Sequence, residues 1–186
     1  MVQIVISRRK HTGIVIILAL IVNCVFSIPV YASDDVEPSG EIIRVRLPLS
    51  AIGITVYPDD QEGLLQFSKS FLTTLGTSYA LKYSINTDRP AGEHLFPSGH
   101  TATAYSGASF LQRRYGWKYG ITAYVAASYV GWSRIESDNH YLKDFLVGAV
   151  LGVISTYIFT HPYAKKMNAI PFLDEGQYGI LLSTTF

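Results

Sequence analysis

Two histidines and a few cationic residues are the part of this sequence best suited to chemistry. His140 and Asp144 are four positions apart, so on a helix their side chains share one face. A carboxylate bound to one imidazole nitrogen sets the tautomer and makes the other nitrogen available as a nucleophile. Arg134, which follows Ser133, adds a planar guanidinium that matches the oxygen atoms of a phosphate. By itself, such a His–Asp pair is more often a structural hydrogen bond.

The second histidine lies in the segment Pro97-Ser98-Gly99-His100-Thr101. Ser98 or Thr101 is a typical N-cap for a helix that follows. Gly99 lets the backbone approach a ligand closely, and the helix N-terminus directs N–H groups and a positive dipole end toward an anion. The same pattern is also common in ordinary helix caps, so it is weak evidence on its own.

Lys82 and Arg89 complete the candidate site. Lys82 shares its predicted helix face with Phe71 and Leu75, so it requires a buried anion or must reach solvent at the helix end. Pro90 biases Arg89 away from helical geometry, which would turn the guanidinium back toward the same site. The alternative for this pair is two solvated basic residues at a helix end.

Four predicted helices position these residues. The first follows the cap candidates Asp59 and Asp60, and its apolar residues recur at helical spacing: Leu64, Phe67, Phe71, Leu75 and Tyr79. The others are predicted from Ser98 or Thr101 to Tyr115, from Trp117 to Trp132 and from Asn139 to Thr160. Uncharged stretches in the last two are shorter than the ~20 residues of a perpendicular membrane span. The sequence therefore leaves open whether these helices are buried core helices or membrane helices.

The N-terminus has the pattern of a secretory signal. Arg8, Arg9 and Lys10 precede a long uncharged segment that ends in Val30-Tyr31-Ala32. We expect a signal peptide over residues 1–32, with an uncleaved membrane anchor as the alternative. Residues 33–58 are predicted to precede the core, as a flexible linker over 33–40 followed by an apolar lead-in that cannot be assigned to an element. The helical core is predicted over residues 59–162. Residues 163–186 are predicted to be a C-terminal tail that contains a strand or an extended arm.

Composition excludes several classes of protein. The chain has 186 residues, of which 48% are hydrophobic and 16% charged, and its mean hydropathy is +0.22. This composition argues against a disordered polyelectrolyte, and a net charge of +1 gives no support for nucleic-acid binding. Cys24 is the only cysteine, which excludes an internal disulfide framework and a cysteine-based zinc site.

Taken in order, the three groups of residues resemble the signature of a known superfamily. Lys82-x6-Arg89-Pro90, Pro97-Ser98-Gly99-His100 and Ser133-Arg134-x5-His140-x3-Asp144 are similar to the tripartite motif of the type 2 phosphatidic acid phosphatases and vanadium haloperoxidases. Every motif position is filled, and the resemblance spans about Glu62 to Thr160. It implies an all-α fold, a compact helical bundle, with a phosphate pocket that uses no metal and no cofactor.

The resemblance also implies a role for each site residue. His140 would attack phosphorus and form a phosphohistidine, oriented by Asp144. His100 would protonate the leaving oxygen and then activate water. The phosphate would be held by Lys82, Arg89, Ser98, Gly99 and Arg134. The neighbouring acidic residues are interpreted as solvated and without a catalytic role: Asp88, Glu93, Glu136 and Asp138.

These residues predict an exported phosphatase acting on a lipid-linked phosphate or pyrophosphate, at the periplasmic face of a membrane or in the periplasm. The expected partners are a phosphorylated lipid or small phosphomonoester and a membrane surface, with no nucleic acid. A soluble periplasmic acid phosphatase of broad specificity would use the same residues. A vanadate-dependent haloperoxidase is disfavoured by the small chain, and a catalytically silent membrane protein is disfavoured because no motif residue is missing.

Overall fold

The computed structural model describes residues 36–56, 59–85, 96–163, 167–174 and 177–184, and for the last two ranges the backbone only. These residues form five helices followed by two antiparallel strands. The elements are α1 (Val36–Val56), α2 (Gln61–Ser84), α3 (Gly99–Tyr115), α4 (Trp117–Glu136), α5 (Leu142–Phe159), β1 (Met167–Asp174) and β2 (Gln177–Thr184). The predicted all-α bundle is confirmed, and the strands lie in the tail that follows it. The predicted signal segment lies outside the described residues.

The helix boundaries follow from local signals in the sequence. Asp60, one of the two predicted caps, accepts a hydrogen bond from the Gly63 N–H at 2.9 Å. Ser98 caps α3 by accepting from the Thr101 N–H at 3.4 Å. Gly116 adopts a φ of 92°, a conformation that favours glycine, and separates α3 from α4. The predicted boundaries at these three positions are confirmed.

The segment before the core forms a helix, α1, where the sequence predicts a linker and an unassigned lead-in. The sequence predicts a linker over residues 33–40 and no defined element after it, but α1 begins at Val36 and continues through Pro48 to Val56. Its inner face, including Ile43 and Leu47, is buried. The backbone at Pro48 packs so closely on α3 that a Cβ on Gly107 would lie 3.1 Å from the Pro48 nitrogen. Tertiary packing therefore stabilises a helix that the internal proline disfavours.

Helix α3 occupies the centre of the bundle and contacts the other four helices. The Phe110 side chain is fully buried, with its ring centroid 4.9 Å from that of Phe67 on α2. The small residues of α3 are also buried, which lets the surrounding helices approach it: Ala102, Ala104, Ser106, Gly107 and Ala108.

The buried face of α2 differs from the predicted one. Phe67 is buried as predicted, but Leu64 is 36% exposed and Tyr79 is 58% exposed. The face toward the bundle carries mainly small or polar residues: Gly63, Gln66, Phe67, Ser70, Thr74 and Ser78. The Ser70 and Thr74 hydroxyls donate to backbone carbonyls of the preceding turn, at 2.9 Å each, so their burial leaves no donor unpaired. Apolar spacing therefore predicted only part of the buried face, because several large side chains of α2 are exposed.

Candidate active site

One end of the bundle brings together the C-termini of α2 and α4 and the N-termini of α3 and α5. The Ser98 N–H donates to the Asp144 carbonyl at 3.2 Å, which joins α3 to α5. The Lys82 ammonium lies beside Gly99, where a Cβ would be 3.6 Å from Nζ. This end therefore holds the predicted site residues that the structure describes: Lys82, Ser98, Gly99, His100, Arg134, His140 and Asp144. Arg89, the remaining one, lies outside the described residues.

His140 lies in the connection between α4 and α5 rather than on a helix. The sequence predicts that α5 begins at Asn139, but it begins at Leu142. The Asp144 carboxylate accepts a hydrogen bond from the Tyr141 N–H at 2.7 Å and so caps the helix there. The His140 N–H instead donates to the carbonyl of Arg134 at 3.1 Å, which holds the histidine close to the end of α4.

The His140 and Asp144 side chains still face each other. Nδ1 of His140 lies 3.6 Å from Oδ2 of Asp144, and the side chains are 5% and 0% exposed. This separation exceeds a normal hydrogen bond, so the contact is an electrostatic attraction between close groups. It directs Nδ1 toward the carboxylate and places Nε2 on the opposite side of the ring. The pair is thus arranged to present Nε2 as a nucleophile.

Two glycines on α5 let this pair lie close to the N-terminus of α3. A Cβ on Gly148 would be 2.5 Å from the Ser98 carbonyl oxygen, and one on Gly152 would be 2.5 Å from the Ala102 carbonyl oxygen. Neither separation is possible for real atoms without movement of the backbone. The spacing between Asp144 and the end of α3 therefore depends on the absence of side chains at these two positions.

We predict that Gly148→Ala lowers both stability and kcat/KM. The added methyl group must push α3 away from α5, at a cost of about 1–3 kcal/mol, and we expect kcat/KM to fall at least about tenfold because the site lies at that contact. Gly76→Ala is the matched control, since a Cβ there meets nothing within 4 Å, and it should leave activity unchanged. Thermal denaturation and steady-state kinetics of both variants test this. A Gly148→Ala variant with unchanged Tm and kcat/KM would contradict the packing argument.

The N-terminus of α3 forms the second wall of the site. The Ser98 hydroxyl is buried and also accepts a hydrogen bond from the Thr101 hydroxyl at 3.0 Å, which fixes the cap. The first N–H groups of a helix, here those of Gly99 and His100, have no intrahelical acceptor and carry the positive end of the helix dipole. Together with the Lys82 ammonium beside Gly99, they form a surface suited to an anion.

Two cations border this surface. Arg134 is 9% exposed, and its Nη1 pairs with Glu37 Oε1 at 3.0 Å. The Arg134 Nε is buried and has no acceptor among the described residues, which provides a donor for a bound oxyanion. Burial and the nearby Arg44 guanidinium lower the pKa of Lys82. A phosphate dianion would relieve the repulsion among these cations.

Three residues of α1 also reach the site, and the sequence interpretation missed them. They are Glu37, Glu41 and Arg44, which lie at positions i, i+4 and i+7 and therefore share one face of the helix. The signal that could have identified them is this charged face at the start of a largely apolar segment. The prediction of a linker and lead-in does not account for this charged face.

His100 contacts α1 directly. Its Nε2 lies 2.8 Å from Oε2 of Glu41, and the other oxygen of that carboxylate binds Arg44. Burial, followed by the positive charges of Arg134 and Arg44, lowers the pKa of His100 to about 4, while the Glu41 charge opposes this shift. In the unliganded site His100 is therefore neutral near pH 7, and a bound anion would raise its pKa.

A cavity of about 120 Å³ opens beside His100 between α1, α2 and α3. Its lining combines cations with apolar and hydroxyl groups: Arg44, Leu75, Ser78, Tyr79, Lys82, Gly99, His100 and Thr103. Among the residues that the structure describes, no three histidine, cysteine or acidic side chains come together in a way that could hold a metal ion.

Comparison with known proteins places this arrangement in a family. The profile of the PAP2 superfamily matches residues 63–168. The chain is 27% identical to lipid A 4'-phosphatase of Helicobacter pylori (strain J99) over 172 residues, which cover 85% of this chain and 86% of that protein. It is 39% identical to lipid A 1-phosphatase of Porphyromonas gingivalis over 84 residues, 42% of this chain and 19% of that protein. In fold it is similar to the crystal structure of Aquifex aeolicus LpxE, with a TM-score of 0.51 and 21% identity over 76% of this chain and 92% of that chain.

The fold and the relatives define a phosphoric monoester hydrolase of the lipid phosphatase-like kind. The chain belongs to the PAP2 superfamily, which confirms the resemblance inferred from its three motifs. Helix α1 lies before the residues that the family profile matches.

Proposed function

We propose that the protein is an exported phosphatase that hydrolyses a lipid-linked phosphate or pyrophosphate through a phosphohistidine intermediate. The observation that carries this proposal is the His140–Asp144 pair, held beside the N-terminus of α3 and the Arg134 guanidinium. The relatives named as lipid A phosphatases support a phosphorylated glycolipid as the substrate class.

In the first half of the proposed reaction, Nε2 of His140 attacks phosphorus. The bond from phosphorus to the lipid oxygen breaks, and the leaving oxygen takes a proton from His100. Asp144 stabilises the positive charge that develops on the His140 ring as the new bond forms. This step requires His140 to be neutral and His100 to be protonated.

In the second half, His100 has lost its proton and acts as a base. It takes a proton from a water molecule whose oxygen attacks the phosphohistidine, the bond to His140 breaks, and inorganic phosphate leaves. Charge-assisted hydrogen bonds hold the phosphate oxygens throughout, each contributing roughly 1.5–3 kcal/mol. The groups assigned to this role are Lys82, Arg89, Ser98, the Gly99 amide and Arg134.

Apolar outer faces of two helices support a position at a membrane. Large side chains are exposed at helical spacing from Ile42 to the end of α1 and along the whole length of α5, a pattern that water-soluble helices avoid. On α1 these residues are Ile42, Val45, Leu49, Ile52 and Val56, and on α5 they are Leu142, Leu146, Val150, Ile154 and Ile158. Among the described helices only α5 is long and apolar enough to cross a bilayer. We therefore propose that these faces contact lipid and that the site lies on the periplasmic side, as expected from the N-terminal signal pattern.

Phosphate release from a panel of substrates tests this proposal. The panel contains a lipid A-type glycolipid, phosphatidate, a polyprenyl pyrophosphate and nitrophenyl phosphate, each with and without detergent micelles and with excess chelator. We expect the lipid substrates in micelles to react fastest, activity to persist in chelator, and vanadate to inhibit because its trigonal-bipyramidal form mimics the transition state. Activity that is lost in chelator and restored by magnesium would contradict the mechanism. Equal rates on nitrophenyl phosphate without micelles would favour the soluble acid phosphatase.

A further inference from the structure

The active-site end of α1 is held rigidly against the rest of the bundle. The hydroxyls of Ser39 and Tyr129 lie 2.7 Å apart and join α1 to α4. Gly40 packs so tightly that an added Cβ would overlap the Ser133 hydroxyl. The position of Glu41, one residue later, is therefore fixed by backbone packing.

Glu41 contacts one of the two histidines through a defined ring atom. Its Oε2 lies 2.8 Å from Nε2 of His100, and Oε1 binds Arg44 on the next turn of the same helix. Because both carboxylate oxygens have partners, the side chain has little freedom to rotate. The contact joins residues 59 positions apart in the sequence, on two different helices.

We propose that Glu41 is a positioning residue for His100, a role that lies outside the three motifs. This inference rests on the proposed function, in which His100 exchanges a proton with the leaving oxygen and then with water. The carboxylate holds Nε2–H, so Nδ1 is the nitrogen that carries the exchanged proton. In the His140–Asp144 pair the carboxylate faces Nδ1 and Nε2 is the reacting nitrogen. In the His100–Glu41 pair the carboxylate faces Nε2 and Nδ1 is the reacting nitrogen.

Charge supports this assignment as well as geometry. His100 is surrounded by cationic groups from three elements: Arg44 on α1, Lys82 on α2 and Arg134 on α4, with His140 from the α4–α5 connection also nearby. Burial opposes protonation of the ring most, followed by the charges of Arg134, Arg44 and His140. Glu41 is the anion that favours the protonated ring, which the first chemical step requires.

The test compares Glu41→Gln with Arg44→Met by measuring the pH dependence of kcat for an alkyl phosphate. Without the Glu41 charge, the alkaline limb should move to lower pH by about one unit, and kcat at pH 7 should fall about tenfold with little change in KM. Without Arg44, the limb should move to higher pH, because a nearby cation is lost and Glu41 is no longer neutralised. Glu136→Gln is the charge-matched control, an exposed residue at the end of α4, and should leave the profile unchanged.

A second measurement does not depend on turnover. NMR titration of the His100 ring in the unliganded protein should give a pKa that is lower in Glu41→Gln and higher in Arg44→Met than in the wild type. If the wild-type protein hydrolyses none of the panel, the proposed function fails, but this titration still decides whether Glu41 controls His100. Three results would overturn the inference: unchanged pKa values in both variants, a kcat profile that falls uniformly without moving, or a Glu41→Gln variant that is more active than the wild type. The last result would indicate a carboxylate that blocks the pocket.

Discussion

His140→Ala is expected to abolish turnover of every phosphate ester, whatever its leaving group. The substitution removes the atom that, in the proposed mechanism, forms the bond to phosphorus. The phosphate-binding groups would remain, so the variant should still bind vanadate or inorganic phosphate. Binding without phosphoenzyme formation would identify a chemical defect rather than a folding defect.

His100→Ala is expected to behave differently because the proposed mechanism has His100 act on the leaving oxygen. General-acid catalysis is typically worth 10²–10⁴-fold for a basic alkoxide and far less for a nitrophenolate. The variant should therefore form phosphoenzyme from nitrophenyl phosphate much faster than from an alkyl ester. Its phosphohistidine should then accumulate, since the base that activates water is also missing.

A rapid-quench burst experiment with both esters separates the two histidines. His161→Ala is the matched control, because this histidine is exposed at the opposite end of the bundle and should show the wild-type burst. A burst in His140→Ala, or an equal loss of phosphorylation from both esters in His100→Ala, would contradict the assigned roles.

The wild-type pH profile follows from the same requirement. His140 must be neutral and His100 protonated, which predicts a bell-shaped profile. The pKa of His100 is lowered to about 4 in the unliganded site by burial and by Arg134 and Arg44, so the alkaline limb of kcat/KM should lie at acidic pH. A bound phosphate neutralises those cations and raises the pKa of His100, so the limb of kcat should lie at higher pH than that of kcat/KM.

The parts of the fold that depend on near neighbours could be predicted from the sequence. Ser98 caps α3 through a residue three positions away, and Gly116 ends it through its own backbone conformation. The convergence of His140 with the N-terminus of α3 could not be worked out from spacing and came instead from the resemblance to the three motifs. The predicted start of α5 at Asn139 was wrong because the Asp144 carboxylate, inside the first turn, caps the helix at Tyr141.

The parts that depend on distant neighbours could not be predicted. The segment that contains Pro48 could not be assigned from the sequence, and the close packing of α3 at Gly107 accounts for its continuous helix. The predicted buried face of α2 was only partly right, because Phe67 is buried but Leu64 and Tyr79 are exposed, while Ser70 and Thr74 are buried. Apolar periodicity identifies a helix in either case, but it does not distinguish apolar side chains that pack in the core from those that are exposed.

The second large effect is expected at the other end of the bundle, where Asp60 and Arg114 form a buried ion pair. Arg114 donates from Nε to Oδ2 at 2.8 Å and from Nη2 to Oδ1 at 2.5 Å, and the two side chains are 4% and 3% exposed for Arg114 and Asp60. The Tyr115 hydroxyl donates to the same carboxylate at 2.8 Å. Arg114 also donates to the carbonyl of His161 at 3.0 Å, so the pair joins α2, α3 and the segment after α5.

Asp60→Asn should therefore destabilise the protein by about 3–5 kcal/mol, because it leaves the Arg114 charge buried without a counter-charge. The expected change in Tm is about 10 °C. Asp59→Asn is the matched control: Asp59 is exposed and has a φ of 54°, a conformation that asparagine tolerates, so its effect should stay within about 0.5 kcal/mol. Thermal and chemical denaturation in the same detergent measure both variants, and kcat/KM of the folded protein should not change because the active site is at the opposite end.

The pH dependence of stability provides a separate test of the ion pair. Burial raises the pKa of Asp60, but hydrogen bonds from Arg114, the Gly63 N–H and Tyr115 outweigh it, and the net pKa is lowered. A lowered pKa in the folded state means that this stabilisation is fully present above the unfolded value of about 4 and is lost as the pH falls through the folded value. Wild-type stability should therefore decline in acid more steeply than that of Asp60→Asn. The double variant Asp60→Asn/Arg114→Met should recover part of the loss, since it leaves no unpaired buried charge. If Asp60→Asn is as stable as Asp59→Asn at pH 7, the ion pair does not stabilise this end of the bundle.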